Sequence, residues 1–292
     1  MPNTNLRMIQ RQQLGPSDEF FTPASTVELE LSLHTEALRG HPILFNCNDW
    51  NHPGFLQCFL SHPEWGWAEL IATGFTPNGQ GVLARLKNNG GGASFEDFTV
   101  SELDGTGGWD TPECERLLDI PDVIVCTNPP FSQVKNFIPR LLEKHVGFAV
   151  VVPLFAIAYS KILPAFLDGR CWVGPTGELP PVFLTPSGKE EYISNARWIT
   201  NLPGGEEQRR RLHTVPVLEP FDDDPALNTS RVADVPLDFG GELGVPITFF
   251  DFLSPNDPDW EITRFLGGPR QHGKKLFKRV VVRRKQQPSA RL

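Results

Sequence analysis

The chain has 292 residues, of which 39% are hydrophobic, enough for one large core domain with an appended lobe. No apolar run approaches the roughly 18 residues that a membrane span requires, and residues 1–13 lack the apolar stretch of a secretory signal. The five cysteines form no C-x-x-C pair and the seven histidines show no ligand spacing, so we expect a cytoplasmic protein with reduced thiols and no metal site.

Predicted strands and helices alternate through the first half of the chain. Helical patterns occupy residues 24–39, 132–145 and 155–168, with a further helix near Phe55, and apolar runs predict strands at residues 43–46, 69–73, 122–127 and 147–152. Pro139 and Pro164 fall inside two of these helical patterns and should kink or shorten them. Strands that alternate with helices in this way predict an α/β fold with a mostly parallel sheet covered on both faces.

The pattern changes after Gly169, where Pro and Gly clusters separate short β-like runs at residues 193–202 and 245–253. We therefore divide the chain into a core at residues 1–168, a continuation with an elaboration at residues 169–263, and a basic C-terminal tail at residues 264–292.

Charge is distributed unevenly between that tail and the rest of the chain. The net charge is -8, yet residues 264–292 contain ten Lys or Arg and no Asp or Glu, which leaves about -18 for the remainder. Such asymmetry suggests a polyanionic partner, which a net acidic chain would not otherwise favour. The alternative is a solvated tail that only aids solubility.

The segment Asn128-Pro129-Pro130-Phe131 directly follows the predicted strand at residues 122–127, where open α/β sheets place their ligands. An exocyclic amine on adenine is a poor nucleophile because its lone pair is delocalised into the ring. The Asn128 side-chain oxygen and the Pro129 carbonyl can draw its hydrogens out of the ring plane, which localises the lone pair for attack on a sulfonium methyl group. The two prolines stiffen the loop, and Phe131 offers a face for stacking a base that has left the duplex.

The alternative for this segment is a simple strand-ending turn, since Asn-Pro starts turns readily. The strand before it and the helical pattern after it favour the functional interpretation.

Three further segments are candidates for holding a cofactor. Phe20, Phe21, Thr22 and Pro23 precede a predicted helix and could line a pocket, although surface turns with Phe are common. Asn46, Asn48 and Asp49 follow the first strand, and an ordinary polar loop is an equal alternative for them. Asp104 or Asp110 could accept a hydrogen bond from a cofactor adenine, or could cap a helix.

The chain resembles the EcoRI-type adenine-specific DNA methyltransferases over most of its length. The resemblance is carried, in chain order, by Asp18–Pro23, Asn48-Asp49, Ala72–Phe75, Asp110–Cys114, Val125–Ser132, Ala156–Tyr159, Arg197–Leu202 and Leu243–Phe249. The last three segments lie outside the methyl-transfer loop and identify the family better than Asn-Pro-Pro-Phe, which occurs across many amine methyltransferases.

The resemblance implies a Rossmann-like, S-adenosylmethionine-dependent core that modifies adenine within a DNA recognition sequence, as in restriction-modification systems. It implies that Asn128 to Phe131 form the target-amine site and that the segments at Phe20–Pro23 and Asn46–Asp49 line the cofactor pocket, with Asn128 between the two. The first loop departs from the family pattern of most methyltransferases because it lacks Phe-x-Gly-x-Gly, and no acidic residue directly follows the second strand.

Double-stranded DNA is therefore the expected substrate, and a monomer is reasonable because a modification enzyme acts on half-methylated duplexes. A cognate restriction endonuclease of the same specificity would need no stable complex with it. One alternative is a methyltransferase of RNA adenine or protein glutamine, since each presents a planar conjugated amine. Another is a methyltransferase-like protein that binds nucleic acid without catalysis, which cofactor binding would distinguish.

Overall fold

The computed structural model describes residues 21–47, 49–51, 53–76, 78–177, 182–184, 189–193, 195–205, 218–236 and 239–285. The chain divides into two compact units. Unit 1 comprises Met1–Ile162 and Gly174–Gly205, and unit 2 comprises Leu163–Val173 and Glu206–Leu292.

The regular elements follow one another along the chain in short lengths. The helices are α1 (Ala24–Leu31), α2 (Thr35–Leu38), α3 (Gly54–Ser61), α4 (Pro112–Leu117), α5 (Val134–Glu143) and α6 (Leu163–Leu167). The strands are β1 (Pro42–Phe45), β2 (Glu69–Phe75), β3 (Gly81–Lys87), β4 (Thr99–Glu102), β5 (Ile124–Thr127), β6 (Gly147–Pro153), β7 (Trp172–Val173), β8 (Val182–Leu184), β9 (Glu190–Tyr192), β10 (Ala196–Thr200), β11 (Glu219–Pro220), β12 (Leu227–Asn228), β13 (Glu242–Pro246), β14 (Trp260–Leu266), β15 (Arg270–Gln271), β16 (Lys274–Lys275) and β17 (Arg279–Arg284).

A large sheet forms the centre of unit 1, with its strands in the order β4-β3-β2-β1-β5-β6-β10. β1 is parallel to both β2 and β5, and β5 is parallel to β6, whereas β3, β4 and β10 run antiparallel to their neighbours. From β1 the chain passes first to β2 on one side and later to β5 on the other. The connections therefore diverge at the carboxyl end of β1, which is where ligands bind in open α/β sheets.

The parallel strands are apolar because both of their faces are covered. Ile43, Leu44 and Phe45 of β1 and Val125 and Cys126 of β5 have no exposed surface. These continuous runs are the patterns that predicted strands in the sequence, and the predicted α/β class is confirmed. The sheet is mixed rather than mostly parallel, because only β1, β2, β5 and β6 form the parallel centre and antiparallel strands flank it on both sides.

The prolines act differently in the two helices that they were expected to disturb. α5 continues through Pro139, because its apolar face is buried along the whole helix. The predicted helix at residues 155–168 is instead a 3-10 turn at Leu154–Ala158 followed by α6, where Pro164 lies in the first turn and needs no N–H. The predicted helix at 24–39 is likewise broken, by a 3-10 turn at Ser32–His34.

Unit 2 contains a five-stranded sheet in the order β11-β12-β13-β17-β14. β17 pairs antiparallel with both β13 and β14, and Val281 at its centre packs with Phe221 and Ala226. The described part of the basic segment 264–292 thus includes the end of β14, the β15–β16 hairpin and β17. The β-like run at 245–253 is only partly a strand, since β13 ends at Pro246 and a 3-10 turn follows.

Two kinds of feature are absent from the described residues. No helix there has both the length and the apolar character to cross a membrane. Likewise, no group of three or more His, Cys, Asp or Glu in this part of the chain is placed to hold a metal ion.

Candidate active site

The loop after β1 is tied to β5 through a buried carboxylate. Asp49 Oδ2 accepts a hydrogen bond from the Thr127 hydroxyl at 2.6 Å and another from the Cys47 N–H at 3.1 Å. Thr127 is the last residue of β5 and directly precedes Asn128. The Asp49–Thr127 contact therefore joins two predicted site segments that lie 78 residues apart in the chain.

The same loop is tied to β2 on its other side. The Trp50 N–H donates to the Thr73 carbonyl at 3.1 Å. Asn51 forms a pair of 2.9 Å bonds with the Phe75 backbone, accepting from its N–H through Oδ1 and donating to its carbonyl through Nδ2. The loop is therefore held between the carboxyl ends of β2 and β5, directly above β1.

The Asn-Pro-Pro-Phe loop leads from β5 into α5. Pro129 is buried, and the Gln133 N–H donates to the Pro130 carbonyl at 2.8 Å, so the chain turns immediately into the helix. Phe131 is partly buried and packs against the main hydrophobic cluster of unit 1. The loop is thus fixed at both ends, as a loop that must aim a carbonyl requires.

Trp109 supports the beginning of α5. Its indole N–H donates to Gln133 Oε1, and its ring meets the Phe137 ring edge-on at a centroid distance of 5.0 Å. The segment between β4 and α4 therefore lies beside the Asn-Pro-Pro-Phe loop.

Burial governs the electrostatics of the loop after β1. It raises the pKa of Asp49 from 3.8 to about 7, although the hydrogen bonds from Thr127 and Cys47 act in the opposite direction. Burial is also the main reason that the pKa of the Cys47 thiol is raised, with the charge of Asp49 next and smaller contributions from Cys114 and Asp110. Asp49 can therefore change its protonation state near neutral pH when a ligand supplies a positive charge.

Several buried polar atoms around this edge of the sheet have no hydrogen-bond partner among the described residues. They are Thr22 Oγ1, Asn46 Nδ2, Thr73 Oγ1 and Glu113 Oε1. Leaving a buried polar atom unsatisfied costs about 1–3 kcal/mol, so such a group of atoms needs an explanation. Asn46 follows β1 and Thr73 lies near the end of β2, and a bound polar ligand at this edge would satisfy such atoms.

Thr22 is brought to the site by a close backbone approach. A Cβ on Gly54, the first residue of α3, would lie 1.9 Å from the Thr22 carbonyl oxygen. Glycine at residue 54 therefore lets the Phe21–Pro23 segment lie against the beginning of α3, the helix that follows the β1 loop. Phe21 is itself held by two backbone hydrogen bonds to Leu184, of 2.9 and 2.7 Å.

The predicted site residues differ in how the structure places them. Thr22, Asn46 and Asp49 are buried at the site, whereas Asp104 and Asp110 are exposed. The N-cap residue of α4 is Thr111, so the alternative in which either aspartate caps that helix is wrong. The charge of Asp110 contributes to the raised pKa of Cys47, whereas Asp104 forms no hydrogen bond with a described residue of the loop after β1. Phe20 and Asn48 lie outside the described residues.

Thr127, Thr73 and Asn51 contribute to the site but were not predicted from the sequence. The available signal was modest: Thr127 and Thr73 are single hydroxyl residues near the ends of otherwise apolar strands, and a buried hydroxyl requires a partner. Asn51 gave no such signal, because its partner is the backbone of Phe75.

Comparison with known proteins identifies the family of the chain. The family described as "Adenine-specific methyltransferase EcoRI" matches residues 8–291. Type II methyltransferase M.EcoRI of Escherichia coli is 25% identical, over 97% of this chain and 98% of its own length. Type II methyltransferase M.MpnI of Mycoplasma pneumoniae is 27% identical, over 96% of this chain and 99% of its own.

A mixed α/β sheet that brings an Asn-Pro-Pro-Phe loop beside a buried polar edge defines the class of amine methyltransferases. With a match over nearly all of its length, the chain belongs to the EcoRI family of adenine-specific methyltransferases. The predicted family and the predicted enzyme, a DNA adenine methyltransferase that uses a methyl-donor cofactor, are confirmed.

Proposed function

We propose that the methyl donor is S-adenosylmethionine, that unit 1 is a Rossmann-like core, and that Asn128 to Phe131 hold the target adenine of double-stranded DNA. The observation that carries the proposal is the hydrogen bond from Thr127 to Asp49. It brings the loop after β1 and the loop after β5 together at the point where the strand connections diverge, so that a donor and an acceptor can meet there.

The cofactor would lie along the carboxyl ends of β1 and β2. When bound, it supplies an electrophilic methyl group on a sulfonium centre. Asn46 offers an amide donor, Thr73 and Thr22 offer hydroxyls, and all three atoms are buried without a partner among the described residues. Asp49 offers a carboxylate for a cationic amino group, and Phe21 and Pro23 extend the wall, with Phe20 and Asn48 assigned by the resemblance alone. This donor set fits a ligand that carries an ammonium group, hydroxyls and an aromatic base.

Asp110 is the better of the two aspartates for contacting the cofactor adenine. It lies close enough to Cys47 to affect its pKa, and it follows the segment that packs beside α5. Asp104 is proposed for the same contact only from the sequence pattern.

The acceptor site is formed by the loop after β5. The Asn128 side-chain oxygen and the Pro129 carbonyl accept the two amine hydrogens of adenine, which turns the nitrogen lone pair towards the methyl group. Pro129 and Pro130 restrict the backbone, and the bond from Gln133 to Pro130 fixes where the loop ends. Phe131 stacks on the base, which must leave the duplex to reach the loop.

We propose that unit 2 supplies the contacts that recognise the DNA sequence. The support is the excess of Lys and Arg in residues 264–292. Methylation of a half-methylated duplex requires only one copy of the site, so the chain would act as a monomer. A restriction endonuclease of the same specificity would share the recognition sequence without binding this chain.

Transfer of tritiated methyl from S-adenosylmethionine to bacteriophage DNA of mixed sequence tests the proposal. Label should appear as N6-methyladenine with the wild type and be lost in Asn128→Ala. Asn136→Ala, an exposed asparagine on α5, is the matched control and should retain activity. Label on a different base, or full activity in Asn128→Ala, would overturn the assignment. If a parallel reaction with transcribed RNA were labelled and the DNA reaction were not, the substrate would be RNA.

A further inference from the structure

Two groups of cations in residues 264–285 have different surroundings. The first group is held by partners within unit 2: Arg264 pairs with Asp224 and Glu242 at 2.6 Å, and Arg283 pairs with Glu261 at 2.6 Å. The second group comprises Arg270, Lys274, Lys275 and Lys278, which are exposed and form no ion pair with a described residue. The second group is confined to the β15–β16 hairpin and the residues just after it.

The hairpin is a braced structure. His272 and Gly273 adopt positive φ angles of 50° and 73° at its tip, as tight hairpin turns require. Asp222 accepts from the N–H groups of both residues, at 3.0 and 2.8 Å, and Asn228 donates to Gln271 Oε1 at 2.6 Å. Asp222 and Asp223 therefore bind the hairpin backbone and Glu219 pairs with the His272 side chain at 2.8 Å, whereas Lys274 and Lys275 are exposed to solvent.

Phe277 is the most exposed large apolar side chain in the described part of the chain, at 90% of its full area. One exposed Phe would need no explanation by itself. Here, however, the residue before it is anchored: Leu276 donates through its N–H to the Pro269 carbonyl at 2.8 Å and packs against the core of unit 2. The chain thus directs Leu276 inward and Phe277 outward.

The residue that holds this segment is a buried arginine. Arg279 is 8% exposed, donates to the carbonyls of Phe277 and Lys278 at 3.1 and 3.4 Å, and contacts Asn228 Oδ1 at 3.2 Å. Within the described residues it has no carboxylate partner, and burial lowers its pKa. Arg279 therefore holds the backbone that presents Phe277.

We propose that the β15–β16 hairpin and Phe277, here called the hairpin surface, contact the DNA substrate. Arg270, Lys274, Lys275 and Lys278 contact phosphates, while Phe277 contacts a base that is unstacked from the duplex. Charge complementarity selects the occupant, because four exposed cations that have no carboxylate partner among the described residues lie within eight positions of Phe277 in the chain, and the substrate of the enzyme is DNA. Base–aromatic stacking with cationic flanks is a general mode of nucleic-acid contact.

The cationic part is tested by the salt dependence of DNA binding. K274A/K275A should bind mixed-sequence duplex at least tenfold more weakly near 0.1 M salt, with a smaller slope of log affinity against log salt. Each lost phosphate contact reduces that slope by about 0.9. The matched control is R39A/K87A, which removes two exposed cations of unit 1, one just before β1 and one at the end of β3, and it should behave as the wild type. An unchanged slope in K274A/K275A would overturn the phosphate contacts.

The aromatic part is tested by substitution and by crosslinking. Phe277→Ala should weaken duplex binding about 5-fold to 150-fold with an unchanged salt slope, and Phe277→Trp should restore it. Leu29→Ala, which removes another exposed apolar side chain, should have no effect. With a photoreactive benzoylphenylalanine at residue 277, irradiation should crosslink the duplex, and the same group at residue 29 should not.

These readouts measure binding, so they are independent of the proposed methyl donor and of the roles of Asn128 to Phe131. Crosslinking at residue 277 without methyl transfer would refute those assignments and leave the hairpin surface supported. No crosslink above that at residue 29, together with wild-type affinity of Phe277→Ala, would overturn the base contact.

Discussion

The carboxyl-end edge of the unit 1 sheet and the hairpin surface of unit 2 are both polar, but their polar groups have opposite surroundings. At the sheet edge, Asp49, Asn46 and Thr73 are buried, and each is fixed by the strand or loop that carries it. On the hairpin surface, Lys274 and Lys275 are exposed, and only the backbone beneath them is fixed. The first arrangement suits chemistry that needs atoms held within fractions of an ångström, and the second suits attraction of a long polyanion.

Asn128→Ala should produce the largest effect at the buried edge. Removal of one preorganised polar contact to the reacting group lowers kcat by about 100-fold to 1,000-fold in other enzymes, and we expect a loss of at least this size. Single-turnover methyl transfer to bacteriophage DNA measures it. The affinity for DNA and its salt slope should stay within twofold of the wild type, because those depend on exposed cations. If Asn128→Ala instead kept a normal kcat and bound DNA poorly, Asn128 would belong to DNA binding and not to methyl transfer.

Asp49→Asn should change how stability depends on pH. The pKa of Asp49 in the folded protein, about 7, lies above the ordinary value of 3.8, so the carboxyl group favours the folded state at low pH. This contribution is lost as the pH rises from about 4 through 7, and it amounts to at most about 4 kcal/mol. The wild type should therefore lose stability relative to Asp49→Asn between pH 4 and pH 7, as measured by urea unfolding.

Binding of S-adenosylmethionine provides a second readout for the same variant. A cationic amino group favours the ionised carboxylate, so wild-type affinity should rise between pH 6 and pH 7.5, and that rise should be absent in Asp49→Asn. Parallel pH profiles of the two proteins would remove Asp49 from the cofactor site.

Gly54→Ala should damage the buried edge through its backbone. The added Cβ would lie 1.9 Å from the Thr22 carbonyl oxygen, which must move together with Pro23. We expect a loss of about 1–3 kcal/mol in the free energy of unfolding, together with weaker cofactor binding. Gly91→Ala is the matched control, because a Cβ there meets no atom within 4 Å. Equal stability of the two variants would show that Thr22 is not held by this contact.

Arg264→Ala should separate the structural cations of unit 2 from those of the hairpin surface. Arg264 is held by Asp224 and Glu242, and its loss should reduce stability by about 1.5–3 kcal/mol with little change in the salt slope of DNA binding. Arg231, which is 78% exposed and pairs with Asp234, is the control and should contribute less than about 1 kcal/mol. A large fall in the salt slope for Arg264→Ala would place this residue among the phosphate contacts.

The sequence predicted the two regions to different extents, for a physical reason. β1, β2, β5 and β6 begin and end within two residues of the predicted runs, because strands covered on both faces are continuously apolar. The segments Asn46–Asp49 and Asn128–Phe131 were identified by their position after such strands.

The contacts between those segments could not be predicted. The Asp49–Thr127 bond joins residues 78 positions apart, and the raised pKa of Asp49 depends on burial that only the folded chain creates. Similarly, the excess of Lys and Arg in residues 264–292 is visible in the sequence. Which of these cations form ion pairs depends on acidic residues that lie earlier in the chain, such as Asp224 and Glu242.

A crystal structure with S-adenosylhomocysteine, the product of the proposed donor, would test the central claim most directly. The ligand should lie across the carboxyl ends of β1 and β2, with hydrogen bonds to Asn46 Nδ2 and Thr73 Oγ1 and its amino group beside Asp49. The sulfur should face the Asn128–Phe131 loop. A ligand bound elsewhere, with Asn46 and Thr73 still without partners, would contradict the assignment of this edge as the methyl-transfer site.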